Sequence, residues 1–212
     1  MLTVVSTELW FAFVAASAVM LAIPGPTILT VIAYAMTHGR RVTLPLVCAV
    51  ALGDATALAV SLVGLGALLA TSAYWFSVIK WVGGLYLIYL GIRLLTSGVV
   101  LESADQSGTS TGMRKLFANT YIVTALNPKG IVFFMAFLPQ FVDHSRPLNP
   151  QLWVLAITFV LLAIVGATLY ASFAGAAHNL MHSPAYRRTF NISGGSLLIG
   201  AGIWALMARR PV

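Results

Sequence analysis

Apolar residues come in six long runs along the chain, at 8–36, 43–70, 74–96, 116–142, 151–177 and 189–208. Each can supply about 20 helical residues, enough to cross a hydrocarbon core of ~30 Å. The polar connectors between them are short, except at 97–115, where Glu102, Asp105 and Gln106 precede a Ser/Thr/Gly-rich tract. A segment of that composition buries no core and reads as a linker. The pattern predicts an all-α polytopic membrane protein of six transmembrane helices. A first three-helix unit occupies 1–96, the polar linker 97–115, and a second three-helix unit 116–212.

Two of the runs are interrupted near their middles. The fourth carries Leu126-Asn127-Pro128-Lys129-Gly130. Asn is a preferred helix N-cap and Pro suits the first helical position, so one helix should end and another begin inside this run. The first run repeats the device as Ile23-Pro24-Gly25-Pro26-Thr27. Broken backbone and a lysine at membrane depth are tolerated where they face protein or a water-filled cavity, so Lys129 marks a functional site. Asp54, the acidic residue deep in the second run, reaches the same depth.

These features define a candidate site. Half-helices starting at the two breaks would turn the amides of Thr27, Ile28, Gly130 and Ile131 towards an anion, and a carboxylate suits them. The expected substrate-binding residues are Gly25, Pro26, Thr27, Asn127, Pro128, Lys129 and Gly130. Lys129 supplies a full positive charge, while Asp54 meets an ammonium group or carries a coupling proton. Two simpler readings compete: a plain proline kink at Pro24 and Pro26, and a structural ion pair between Asp54 and Lys129. His178 and His182 have metal-ligand spacing but no third ligand nearby, so they read as interfacial loop residues, and no metal or cofactor is expected. Lys80 and Arg93 read as snorkelling side chains. The fifth run, with little polar beyond Thr158, Thr168, Tyr170 and Ser172, reads as scaffold.

The third and sixth runs share a pattern. Gly83-Gly84-Leu85-Tyr86-Leu87-Ile88-Tyr89-Leu90-Gly91-Ile92 matches Gly194-Gly195-Ser196-Leu197-Leu198-Ile199-Gly200-Ala201-Gly202-Ile203 at six of ten positions, and glycines at this spacing suit close helix packing. A repeat with an odd number of spans must enter the membrane in opposite directions. The expected architecture is therefore a 3+3 inverted repeat with helices 1 and 4 broken, as in secondary transporters.

Composition sharpens this picture without changing it. Hydrophobic residues make up 59% of the 212 and charged residues 8%, which excludes an ordinary soluble domain. The net charge of +7 sits in pairs between apolar runs and forms no stripe, so positive-inside loops explain it and nucleic acid does not. Arg40, Arg41, Arg93, Arg114, Lys115, Arg187 and Arg188 fall at one face. Trp10, Trp75, Trp153 and Trp204 fall at the other, with Arg146, Arg209 and Arg210 dissenting. The basic face is read as cytoplasmic, with both termini outside. Cys48 has no partner for a disulfide within the chain, and the first run is too long for a cleavable signal.

Ile23-Pro24-Gly25-Pro26, Gly53-Asp54, Tyr86-Leu87-Ile88-Tyr89-Leu90-Gly91, and Asn127-Pro128-Lys129 through Phe137-Leu138-Pro139-Gln140-Phe141-Val142 together resemble the LysE/RhtB family of amino-acid exporters. The likeness extends over nearly the whole chain, and the Asn-Pro-Lys to Leu-Pro-Gln-Phe block is its most specific part. It implies a multi-pass protein of the bacterial inner membrane. The implied activity is proton-motive-force-driven efflux of amino acids or derivatives such as threonine, homoserine, homoserine lactone, leucine or basic amino acids. One position departs from the pattern: relatives often carry Asp or Asn after Pro-Gly-Pro, where this chain has Thr27. The implied partners are the amino-acid substrate, protons and the lipid bilayer, with homo-oligomerisation left open. The rival readings are an intramembrane enzyme, which lacks a recognisable catalytic set at membrane depth, and a channel.

Overall fold

The computed structural model describes residues 4–23, 25–71, 73–97, 112–143, 145–176 and 183–207. Among these residues the chain is all-helical. Helices α1 (Thr7–Ala22), α2 (Pro26–His38), α3 (Thr43–Thr71) and α4 (Ala73–Ser97) form the first half. The second contains α5 (Met113–Ala125), α6 (Pro128–Val132), α7 (Leu148–Ser172) and α8 (Pro184–Met207). The linker at 98–111, the His178 and His182 pair, and the side chains of Lys80, Trp75 and Trp204 lie outside what is described. So does Pro24, one of the two prolines of the first break.

Among the described residues, three helical segments are long and apolar enough to cross a membrane: Pro26–Gly64, Met113–Phe141 and Leu148–Ser172. Helix α7 illustrates why. Its inward face is built of small or flat groups, with Phe159, Ala163, Ala167 and Ala171 buried, while Trp153, Ile157, Leu161, Val165 and Leu169 form an exposed stripe at helical spacing. A helix that is apolar on both faces needs lipid on one of them.

Both interruptions form, and for the expected reasons. Ile23 leaves α1 in an extended conformation, Gly25 caps α2, and Pro26 takes its first position. Asn127 accepts from the Lys129 amide at 3.1 Å and caps α6, with Pro128 first in the helix. The path after α6 was not anticipated. Phe133–Phe137 widens into a π turn and Leu138–Phe141 tightens into a 3-10 turn. Pro139 has no N–H to continue an α-helical ladder, and its ring crowds the preceding turn. The Gln140 amide donates to the Ala136 carbonyl at 2.8 Å within this irregular stretch. Phe133 and Phe137 stack at 5.3 Å within the π turn, and Phe13 of α1 meets Phe141 edge-on at 5.3 Å, which ties α1 to the 3-10 turn.

Helix α2 ends at Gly39, whose φ of +69° suits glycine and starts a 3-10 turn leading into α3. Two side-chain bridges fix how α2 lies on α5: Asn127 to Thr27 at one end, and Asn119 to the Tyr34 hydroxyl about two turns further on. The helices therefore run antiparallel. The end of α2 next to Arg40 and Arg41 lies on the same side as the start of α5 with Arg114 and Lys115. Arg146, a dissenter from the charge pattern, pairs with Asp143 at 3.1 Å and is locally neutralised.

Helices α4 and α8 pack along each other through the repeated glycines. A Cβ on Gly84 would stand 3.1 Å from the Gly202 carbonyl, and one on Gly91 would stand 2.6 Å from the Gly195 carbonyl. Backbones this close admit no side chain between them.

Candidate functional site

The two breaks meet. Gly25, Thr27, Asp54, Asn127, Lys129 and Gly130 line one buried cavity of about 30 Å³, room for roughly one or two waters. Asp54, Thr27 and Asn127 are each less than a tenth exposed. The Asn127 side chain holds both half-helices at once. Its oxygen caps α6, and its amide donates to the Thr27 hydroxyl in the first turn of α2 at 3.2 Å.

Lys129 is the centre of the arrangement, with a partner that sequence reasoning did not foresee. Its ammonium donates to the Ile23 carbonyl at 2.7 Å and to the Met20 carbonyl at 2.9 Å. The last carbonyls of a helix have no intrahelical partner and carry the negative end of its dipole, so a cation is stabilised there by about 0.3–2 kcal/mol. A Cβ added to Gly25 would lie 3.5 Å from the ammonium, so the backbone of the first break closes over it.

Tyr170 completes the cap of α1. Its hydroxyl donates to the Ala22 carbonyl at 2.9 Å. Two of the few polar groups of the fifth run are engaged with α1: Tyr170 serves the break, and Thr158 accepts from the Trp10 indole N–H at 3.1 Å. The sequence carried one signal for this: the hydroxyls of Thr158, Thr168, Tyr170 and Ser172 stand in an otherwise apolar run, where each needs a partner.

Other expectations are redrawn. Asp54 and Lys129 share the cavity and lie within electrostatic reach of each other, but no direct ion pair joins them among the described residues. Pro26 and Pro128 are exposed and shape the breaks without lining the cavity. The Ile131 amide is not open to a ligand, because it donates to the Asn127 carbonyl at 3.1 Å. A larger, open apolar groove of about 420 Å³ shares Met20 with this cavity and is lined also by Val19, Leu87, Phe133 and Phe137.

Comparison with known proteins fits this geometry. The chain is 30% identical over 202 residues to an uncharacterized membrane protein of Vibrio cholerae, covering 95% of this chain and 98% of the relative. It is 29% identical over 203 residues to the homoserine/homoserine lactone efflux protein of Salmonella typhimurium, covering 96% and 98%. A leucine efflux protein of an Enterobacter species is 26% identical over 165 residues, covering 77% and 76%. No solved structure matches. A family model described as LysE type translocator matches residues 18–209, which include both helix breaks, Asp54 and the paired glycine motifs, and the chain belongs to that family.

Proposed function

We propose that this protein exports amino acids or close derivatives across a bacterial inner membrane, as a secondary transporter driven by the proton motive force through alternating access. The observation that carries the reading is the position of Lys129. An ammonium has three donors, and two of them reach the α1 carbonyls, which leaves the third for a carboxylate in the shared cavity. Gly25, Thr27, Asn127 and Gly130 form the walls around that position, with Pro26 and Pro128 setting the direction of the half-helices. Asp54 is the group assigned to proton coupling. The names of the homoserine, homoserine lactone and leucine efflux relatives favour amino acids over other anions.

The cavity is too small for an amino acid in this conformation, so the half-helices must part to admit one, and the apolar groove that shares Met20 offers room for a side chain. Movement of this kind belongs to a six-span inverted repeat, with units at 1–96 and 116–212 related across a pseudo-two-fold axis. The glycine contacts support that symmetry. In the repeat, Gly84 corresponds to Gly195 and Gly91 to Gly202, whereas the contacts are Gly84 with Gly202 and Gly91 with Gly195. Such reciprocal pairing is what a two-fold axis produces. The basic ends of α2 and α5 are assigned to the cytoplasm, with the linker at 97–115 beside them and both termini outside.

Counterflow of labelled amino acids into proteoliposomes tests the function directly. Saturable exchange of one or a few amino acids is expected. Flux that never saturates would identify a channel, and no exchange by any amino acid or derivative in the panel would overturn the reading.

A further inference from the structure

Helix α1 ends between the buried residues Met20 and Ile23, and carbonyls at a helix end have no intrahelical partner and require others. Three of them converge on two side chains: Met20 and Ile23 on the Lys129 ammonium, and Ala22 on the Tyr170 hydroxyl. Carbonyls gathered at the C-terminal end of a half-helix, where the dipole is negative, make a ligand set for a monovalent cation in transporters with broken helices. In this chain the positive charge at that place is covalently attached. Its two contacts, at 2.9 and 2.7 Å, are as short as charge-assisted hydrogen bonds. Asp54 lines the same cavity.

We infer that the end of α1 is a monovalent-cation site whose resident cation is the Lys129 ammonium. The tethered charge replaces a diffusible one. The intact protein therefore needs no sodium here, and a chain without the ammonium accepts a free cation at the Met20 and Ile23 carbonyls. The occupant can be a primary alkylammonium, which reproduces the hydrogen bonds, or sodium, which reproduces only the charge. This inference rests on the placement of α1 against the candidate site, and its test needs neither amino acid nor transport, so it survives or fails independently of the export reading.

The experiment is thermal unfolding of purified, substrate-free Lys129→Ala in choline chloride, sodium chloride or n-propylammonium chloride. The quaternary nitrogen of choline has no N–H to give the carbonyls, and its three methyl groups keep that charge out of so small a space, whereas propylammonium restores the atoms that the substitution removes. In choline the variant should unfold about 5 °C below wild type, because two buried carbonyls lose their partner. Propylammonium, sodium or both should then raise its midpoint by several degrees in a saturable manner, while the wild-type midpoint stays put. Which salt acts distinguishes hydrogen bonding from charge alone. Lys129→Met fills the space with an uncharged chain and should be destabilised in all three salts alike. If Lys129→Ala cannot be recovered folded in choline, recovery in propylammonium or sodium is read instead. The inference is overturned if neither salt rescues the alanine variant beyond its effect on wild type, or if Lys129→Met is as stable as wild type.

Discussion

The Lys129 ammonium, at the start of one half-helix, donates to the Ile23 carbonyl at the end of another across 2.7 Å. The polar residues that interrupt the first and fourth apolar runs therefore satisfy one another, and neither break can move without disturbing its counterpart. A ligand that draws on the Lys129 ammonium competes with the carbonyls of α1. In the proposed binding mode, substrate binding and displacement of the α1 end are two aspects of one exchange of hydrogen bonds.

The first prediction follows from that exchange. Lys129→Ala should weaken amino-acid binding by about 10- to 100-fold, the cost of losing a charge-assisted hydrogen bond. Adding Asp54→Ala should not restore binding, because no direct ion pair links the two residues. Amino-acid amides and decarboxylated amines should bind poorly to the wild type, since each leaves the cation without its anion. Binding measured by scintillation proximity on purified protein checks all three; recovery in the double variant would eliminate the carboxylate role.

Asn127 makes a separate contribution. Removing its side chain deletes the cap on α6 and the bridge to Thr27 in one step. Asn127→Ala should cost about 1–2 kcal/mol of stability, and Thr27→Val, which loses only the bridge, should cost less. Unfolding midpoints of the two variants, compared with the double variant, check that their effects overlap and do not add.

Much of this arrangement was legible in the sequence because it is local. An Asn-Pro pair inside an apolar run announces a cap and a first helical position through neighbours only one to three residues away, and the structure has both. The glycine motifs were legible as packing surfaces for the same reason. What they pack against was not, since register between α4 and α8 is set by contacts over a hundred residues apart in sequence. The partner of Lys129 was missed on similar grounds. A lysine in an apolar run points to an opposite charge, Asp54, whereas the broken end of α1 offers backbone carbonyls that no residue type announces. The π turn has no residue signal of its own: Pro139, which lacks the N–H a continuous half-helix requires, marks only that the α-helical ladder is interrupted near it.

The glycine contacts give a prediction with an internal control. Gly91→Ala would drive a methyl group into the Gly195 carbonyl, and Gly195→Ala would meet the Gly91 carbonyl at 2.8 Å, so each should cost about 1–3 kcal/mol. Gly64→Ala meets nothing within 4 Å and should be neutral or slightly stabilising in its helix. Unfolding in detergent would check the contrast; equal stability of all three would remove the case for close glycine packing.

Orientation is checked by fusions. With both termini outside, alkaline phosphatase attached after Val212 should be active, and a fluorescent protein that matures only in the cytoplasm should stay dark there. The opposite pair of results would invert the assignment of the basic ends of α2 and α5.

Asp54 supplies the last prediction, because its place in the cavity separates binding from energy coupling. It is buried and lines the space that holds the Lys129 ammonium, yet it makes no direct ion pair with it. An acidic group at membrane depth costs several kcal/mol unless it is paired, hydrated or protonated, and its place beside the proposed substrate site fits a proton carrier. Asp54→Asn preserves shape and hydrogen-bonding capacity while removing the exchangeable proton. The variant should therefore exchange amino acids across proteoliposome membranes at a rate near wild type. Under an imposed pH gradient it should fail to accumulate them, where the wild type does so severalfold. If Asp54→Asn loses exchange as well, the carboxylate belongs to substrate binding, where it would meet the amino group. If it still drives uphill movement at the wild-type level, the proton travels by another residue.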